Sequence, residues 1–384
     1  MKVVVLSPNT NNCVVLYQPL RRLGHCVEVI IYDTMTYEEH ENLPALIDLK
    51  KPDWVLLLGA IETQHGHPVP CVRILGEIGK KYPLVNFCCD SVEILWWQQL
   101  ESYYAKGHFA LQVGVDGVRA GPIGLRGMTT LCPVDEIDFI NQPWSERKIL
   151  CGFSGFKNRG PRSEMITALQ SAGLLYFRDR DSEPPDEYRR FLANCKITFN
   201  HPMTGGGGWR HVKARVLEAA LSGCVVLEAS ESPVEDWFTP GVDYLEYSNV
   251  ETAREKIAWV ESHQDEAREM AMRLRARVIE EHSPAVFWGN VLWRIGLGAE
   301  PARKVRELSL DRWLNAIGMA HPIGWPAHVE TAPRANVVTY GGRYYMVPHK
   351  LGEIDLDSPG ATETPGIEMF NDKDEAVKAA HRYG

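Results

Sequence analysis

Residues 205–228 read GGGGWRHVKARVLEAALSGCVVLE. The order predicts a glycine loop, a helix over 209–222 ended by Gly223, and a buried strand over 224–227. Four glycines free the backbone for positive φ and leave its N–H groups open to a ligand. A helix starting directly behind them adds the partial positive charge of its N-terminus, so the pair favours a bound phosphate. On such a helix His211, Arg215, Glu218 and Ser222 share one face, while Val212, Val216 and Ala219 make an adjoining apolar stripe. One edge of the helix is thus set for the core and the other for a cleft.

Upstream, a strand over 197–199 ends at Asn200-His201-Pro202, immediately before the glycines. Another, over 149–154, leads into Gly155-Phe-Lys157-Asn-Arg159-Gly-Pro-Arg162, which opens a helix carrying Met165, Ile166 and Leu169 on one side. Lys157, Arg159 and Arg162 sit at the helix end where a cation is disfavoured by about 0.3–1 kcal/mol. A bound anion would remove the conflict; a solvated basic turn is the other reading. A short strand over 174–177 and a helix over 186–194 lie between. The order strand, loop, helix, strand gathers Asn200, the glycines and the 209–222 helix around one crevice. Glu228, Ser230 and Glu231, ending the next strand, are placed to meet whatever binds there.

The first third of the chain alternates in the same way. Continuous apolar runs over 2–6, 26–32, 54–58 and 84–89 predict buried strands, with helices up to 23, over 37–50 and over 72–81 between them. Strand–helix alternation at this spacing implies right-handed βαβ units and a parallel sheet. Ligands then gather beyond the strands' carboxyl ends, here 7–12, 59–67 and 89–93. Ser-Pro-Asn-Thr-Asn-Asn at 7–12 lacks the glycines of a dinucleotide fingerprint, which argues against a nicotinamide enzyme. Glu62, His65, His67 and Asp90 are the ionisable groups after strands. Each is either a base for an incoming hydroxyl or, for the histidines, a solvated loop residue and, for Asp90, a helix cap. Trp96, Trp97, Tyr103 and Tyr104 either stack on a sugar or lipid or pack in the core or between domains.

A chain of 384 residues holds two domains and an appendage. Forty-one basic against 50 acidic side chains give a formal charge of −9, and no long Lys/Arg run is present, so nucleic acid is excluded as an expected partner. No run approaches the roughly 20 apolar residues of a membrane helix. The nine cysteines are odd in number, scattered and often inside apolar runs, as Cys88, Cys89, Cys151 and Cys224 are, which predicts a reduced cytoplasmic protein with no metal site. Residues 133–148, with Pro143 and no clear period, read as a linker. The expected division is therefore 1–132, the linker, 149–300 and a tail over 301–384.

The run Lys213-Ala-Arg215-Val-Leu-Glu218-Ala-Ala-Leu-Ser-Gly223 and the segment PVEDWFTPGVDYLEYSNVETAREKI after it resemble the donor-binding half of GT-B glycosyltransferases. The branch they resemble is the CgeB-like group, related to the large group 1 enzymes. The resemblance spans about 148–295, with a vaguer match to the partner domain before it. It implies an α/β protein of GT-B architecture, two Rossmann-like domains facing a cleft plus a small α+β tail, that moves a sugar from a nucleotide diphosphate sugar without cofactor or metal.

The resemblance further implies that Gly155, Arg159, Arg162, Asn200, Gly206, Gly207, Gly208, Lys213, Arg215 and Glu218 hold the donor. Glu218 would accept from the ribose hydroxyls, and Arg215 or Lys213 would lie near the phosphates. Arg215 would also meet charge on the departing diphosphate, with Asp90 and His67 as candidate bases. A surface ion pair between Arg215 and Glu218, three apart on a helix, is the structural alternative, worth about 0.5 kcal/mol at most. Lys213 points away from Glu218. Group 1 enzymes carry a second glutamate eight positions before the one matching Glu218; here that position is Arg210, so the retaining mechanism does not carry over. The alternative function is a GT-B-like nucleotide- or glycan-binding protein without turnover. The acceptor is a glycan, lipid, small molecule or protein.

In the tail, residues 337–347 around Gly341-Gly342 predict a β-hairpin, followed by a linker and a helix over 374–381. A lone hairpin is marginal in water and should dock elsewhere. It either covers the acceptor cleft, braces the fold or joins two copies; with no convergent acid or base in it, bracing or a homo-oligomer contact is the expectation.

Overall fold

The computed structural model describes residues 1–8, 11–58, 70–89, 108–117, 127–157, 160–179, 184–203, 210–305, 327–331, 335–340, 343–348, 368–370 and 373–382. Two parallel sheets organise the chain, as the alternating pattern predicts. The first contains β1 (Lys2–Ser7), β2 (Cys26–Ile31), β3 (Trp54–Leu58), β4 (Leu84–Cys88), β5 (Leu111–Gly114) and β6 (Gly127–Thr129) in the order β2-β1-β3-β4-β5-β6. Its helices are α1 (Asn11–Arg22), α2 (Tyr37–Glu41), α3 (Leu43–Lys50) and α4 (Val72–Gly79). Successive strand residues point to opposite faces, so each apolar run feeds two cores. Val3, Val5, Trp54, Leu56 and Leu58 pack with Leu16 and Leu20 of α1; Val4, Leu6, Val55 and Leu57 pack with Ile47 of α3 and Ile74 of α4.

Two features depart from the sequence reading. The single helix expected over 37–50 is broken at Asn42, because Pro44 in the first turn of α3 has no N–H to continue the ladder. Strands β5 and β6 have no counterpart in the pattern. They are four and three residues long, and Gln112 in β5 is buried, so neither shows a continuous apolar run.

The second sheet contains β7 (Ile149–Ser154), β8 (Tyr176–Arg178), β9 (Cys195–Phe199), β10 (Val225–Ala229) and β11 (Leu245–Tyr247) in the order β11-β10-β9-β7-β8, all parallel. On one face Cys151, Phe153, Ile197, Phe199, Val225 and Leu227 pack with α5 (Gly160–Ser171) and α8 (Val250–Ser262). On the other, Cys195, Cys224 and Val226 pack with α6 (Pro185–Asn194), α7 (Ala214–Leu221) and α9 (Gln264–His282). The long helical region expected over 250–281 is α8 and α9, divided at His263.

Between the sheets, residues 133–148 run irregularly through two short 3-10 turns, Glu136–Asp138 and Trp144–Glu146. Buried Arg147 closes this stretch by donating to the carbonyls of Gln142, Cys195 and Ser222. Helix α10 (Pro284–Arg294) follows the second sheet in sequence but belongs to the core of the first. Trp288 lies 6.1 Å from Trp54 and 6.3 Å from Phe87, ring centre to ring centre, and Phe287 lies 5.8 Å from Phe87.

The tail hairpin is part of a larger unit. Strands β12 (Ala327–Thr331), β13 (Ala335–Tyr340), β14 (Arg343–Pro348) and β15 (Glu368–Phe370) form an antiparallel sheet in that order, with α11 (Lys373–Arg382) against β13 and β14. The hairpin therefore has neighbours of its own and is not the lone pair the sequence suggests. Among the described residues no helix is long and apolar enough to cross a membrane.

Candidate functional site

In the second sheet the chain leaves β7 outward to β8, then returns to lay β9 on the other side of β7 and continues to β10 and β11. The strand order reverses between β7 and β9, and the crevice beyond the carboxyl ends of such a pair is where open parallel sheets bind ligands. Here those ends carry Ser154, Gly155, Asn200 and His201, with the start of α5 and the residues before α7 close by.

The segment from 210 onward does not fold as expected. Helix α7 begins at Ala214, with Lys213 as its N-cap, whereas the predicted helix begins at 209. Arg210 makes an antiparallel bridge to Met203, the His211 N–H donates to the Pro202 carbonyl at 3.1 Å, and the Val212 N–H donates to the Asp116 carbonyl at 2.8 Å. These N–H groups serve neighbouring segments, so they cannot close helical turns, and in the sequence five residues separate Gly208 from the start of α7. His211 consequently leaves the helix face on which the wheel places it. It is buried, its Nδ1 3.3 Å from the carboxylate of Asp116, just past β5 of the first sheet. The indole N–H of Trp237 donates to the Gly117 carbonyl at 2.7 Å, a second tie between the two units.

Five of the predicted site residues meet around the crevice. The Arg215 guanidinium donates to Asn200 Oδ1 at 3.2 Å and lies 4.7 Å over the Phe153 ring. A Cβ at Gly155 would stand 2.7 Å from Arg215 Nη2, so glycine is what lets the guanidinium lie against the backbone there. Arg162, in the first turn of α5, donates to the Met203 carbonyl. Lys213 is half-buried beside them. Glu218 stands apart on α7, accepting from the Tyr188 hydroxyl at 2.5 Å; Arg215 and Glu218 thus turn to different partners, and the ion pair allowed by their spacing does not form. Asp90, His67, Arg159, Gly206, Gly207 and Gly208 lie outside the described residues, as do Glu62 and His65.

Beneath these groups is a buried polar layer. Asn200 donates through Nδ2 to the Glu228 carboxyl, and the Tyr247 hydroxyl donates to the Asn200 carbonyl at 2.9 Å. Glu228 is fully buried, so it cannot touch a ligand as its position at the end of a strand suggests. Burial pushes its pKa up to about 7, although Asn200, Ser232 and Arg215 oppose the rise. His201 shifts the other way, down to about 4, through burial and the positive charges of Arg162, Arg210 and Lys213. Three cations converging on a neutral buried imidazole make the crevice receptive to an anion. Tyr188 and Tyr247 left no signal in the sequence. For Glu228 the signal was there: one acid inside the otherwise apolar run VVLEA.

The Glu228 shift predicts a pH dependence of stability. A carboxyl whose pKa is raised on folding stabilises the native state fully below its ordinary value of 4.5, and that contribution disappears as pH rises through about 7. Glu228→Gln keeps an acceptor for Asn200 and never ionises. Its stability relative to the parent should therefore improve by about 3 kcal/mol between pH 4 and pH 8, read from urea unfolding at the two pH values.

Residues 165–292, about a third of the chain, match a family described as glycosyl transferase-like. Solved structures extend the likeness over both sheets. An alpha-glucosyltransferase held in complex with UDP and a mismatched DNA 13-mer is 10% identical, with a TM-score of 0.57 over 77% of this chain and all of the other. The Anabaena protein HepE, in complex with UDP and glucose, is 11% identical, with a TM-score of 0.51 over 74% of this chain and 96% of its own. No curated protein sequence matches the chain. At these identities the likeness defines the fold: two Rossmann-like domains in the GT-B arrangement.

Proposed function

We propose that this chain transfers a sugar, of the hexose type, from a nucleotide diphosphate sugar to a hydroxyl or amide acceptor. The observation that carries the reading is the convergence of Arg162, Lys213 and Arg215 at the β7/β9 reversal, with Arg210 beside them paired to Glu231 at 3.2 Å, on a layer whose buried histidine is held neutral. That is the charge pattern a diphosphate leaving group needs, and oriented donors at such a point usually supply the greatest share of the barrier reduction. No metal is required in this scheme, because the arginines and lysine supply the positive charge. The match of residues 165–292 to a glycosyl transferase-like family supports the same reaction class. Two proteins of this fold hold UDP, which makes UDP-sugars the first donors to try. Arg210, standing where group 1 enzymes have their first glutamate, supports the CgeB-like branch. Gly155, Asn200 and the glycines Gly206, Gly207 and Gly208 complete the donor cradle together with Arg159, and His67 and Asp90 are the candidate bases on the acceptor side.

The test is a thermal-shift screen of UDP-, GDP- and dTDP-sugars followed by an assay for sugar release or transfer. A specific donor at a hundredfold excess over its dissociation constant adds about 2.7 kcal/mol of stability. Binding without consumption of any donor, across a broad acceptor panel, would make the chain a nucleotide- or glycan-binding protein instead. Glu218, oriented by Tyr188, is assigned to the ribose hydroxyls. Glu218→Ala should weaken donor binding about tenfold by calorimetry, the loss expected for one charge-assisted hydrogen bond; an unchanged affinity would remove Glu218 from the site.

A further inference from the structure

The buried layer under the crevice ends in a residue to which the transfer reaction gives no direct role. We propose that Glu228 is a positioning residue: its carboxyl fixes the orientation of the Asn200 amide, which in turn aims the Arg215 guanidinium into the crevice. The inference rests on the reading of the crevice as a diphosphate site.

A guanidinium has only donors, so Arg215 needs the oxygen end of the Asn200 amide. The amide has one rotatable bond left to decide which end that is. Its backbone is already pinned on both sides, the N–H donating to the Leu227 carbonyl at 2.8 Å and the carbonyl accepting from Tyr247. Glu228 settles the choice by accepting from Nδ2, which turns Oδ1 toward Arg215. Both Asn200 and Glu228 are buried, so water cannot replace either bond at low cost.

Arg215 is held on two further sides, by the Phe153 ring beneath it and by the glycine backbone at 155. Its Nε is buried and has no hydrogen-bond partner among the described residues. The near-neutral pKa of Glu228 fits the same role, since a carboxyl that is easily protonated adds little negative charge to an anion site while remaining an acceptor.

The experiment measures binding of inorganic pyrophosphate to the full chain by calorimetry, with Glu228→Met, Glu228→Gln, Arg215→Ala and the Glu228→Met/Arg215→Ala pair. Methionine keeps the volume and removes the acceptor; glutamine keeps the acceptor. Expected are a three- to tenfold loss for E228M, affinity within twofold of the parent for E228Q, and a double variant no weaker than R215A alone. An E228M variant that binds like the parent, or a double variant whose losses multiply, overturns the positioning role. Should E228M fail to fold by circular dichroism, Asn200→Ala removes the middle of the chain of bonds, and parental affinity there overturns the proposal equally. Failure of the broader reading looks different: a parent chain that binds neither pyrophosphate nor any nucleotide sugar ends both, whereas a parent weakened by R215A but not by E228M ends only this one.

Discussion

Gly223→Ala is expected to cost the fold about 4 kcal/mol. The residue follows α7 with φ at +70°, a conformation that costs alanine about 1 kcal/mol relative to glycine. The larger part comes from what the new methyl group meets. A Cβ there would lie 2.3 Å from Asn141 Oδ1 and 2.9 Å from Arg147 Nη2. Arg147 is a buried cation held by the carbonyls of Cys195 at 2.7 Å, Ser222 at 2.6 Å and Gln142 at 2.9 Å, by Asn141 Oδ1 at 3.2 Å and by the Trp144 ring. Displacing it breaks charge-assisted bonds and leaves acceptors unpaired, for about 3 kcal/mol more. Urea unfolding of parent and variant measures the sum. Gly223→Asn separates its parts, because asparagine tolerates positive φ yet carries the same Cβ; a cost near that of alanine assigns the loss to Arg147. A loss under about 1 kcal/mol for alanine, no more than the backbone cost, would show that Arg147 moves aside freely.

Arg215→Ala should lower the rate of sugar transfer by about 10²–10³, the range seen when one preorganised donor is removed from a site of developing negative charge. The residue is placed for that effect by three contacts at once: Asn200 at its edge, Phe153 at its face and Gly155 against its end. Arg215→Lys should recover only a small part of the loss. An ammonium is a point charge that cannot serve Asn200 and a phosphate together, nor lie flat on the ring. Initial rates with a saturating donor measure this directly, and an alanine variant within threefold of the parent would remove Arg215 from the reaction.

The parallel strands were legible because a strand buried on both faces is an unbroken apolar run, as VVVL in β1 and WVLLL in β3 are. Strands β5 and β6 were not, since a buried glutamine and lengths of four and three residues leave no such run. The start of α7 was misplaced for a different reason. Residues 210–213 carry a helix-compatible pattern, but the N–H groups of His211 and Val212 go to Pro202 and Asp116, partners outside any local rule. The gathering of Arg162, Asn200, Lys213 and Arg215 near one crevice could be read from the order of elements. The Asn200–Glu228 bond could not, because it joins the ends of two adjacent strands and depends on their register. Tyr188 reaching Glu218 is likewise a matter of how α6 packs on α7.

The place of α10 bears on how the protein is made. Trp288 and Phe287 complete a core whose sheet was finished at Thr129, so a nascent chain exposes the apolar face that includes Trp54 and Phe87 until the second sheet has also emerged. At about 5–20 residues per second, that interval is roughly ten to thirty seconds. The earlier-made half should therefore depend on chaperones during synthesis, and ribosome-bound chains arrested before residue 284 should bind them while chains arrested well past residue 294 should not.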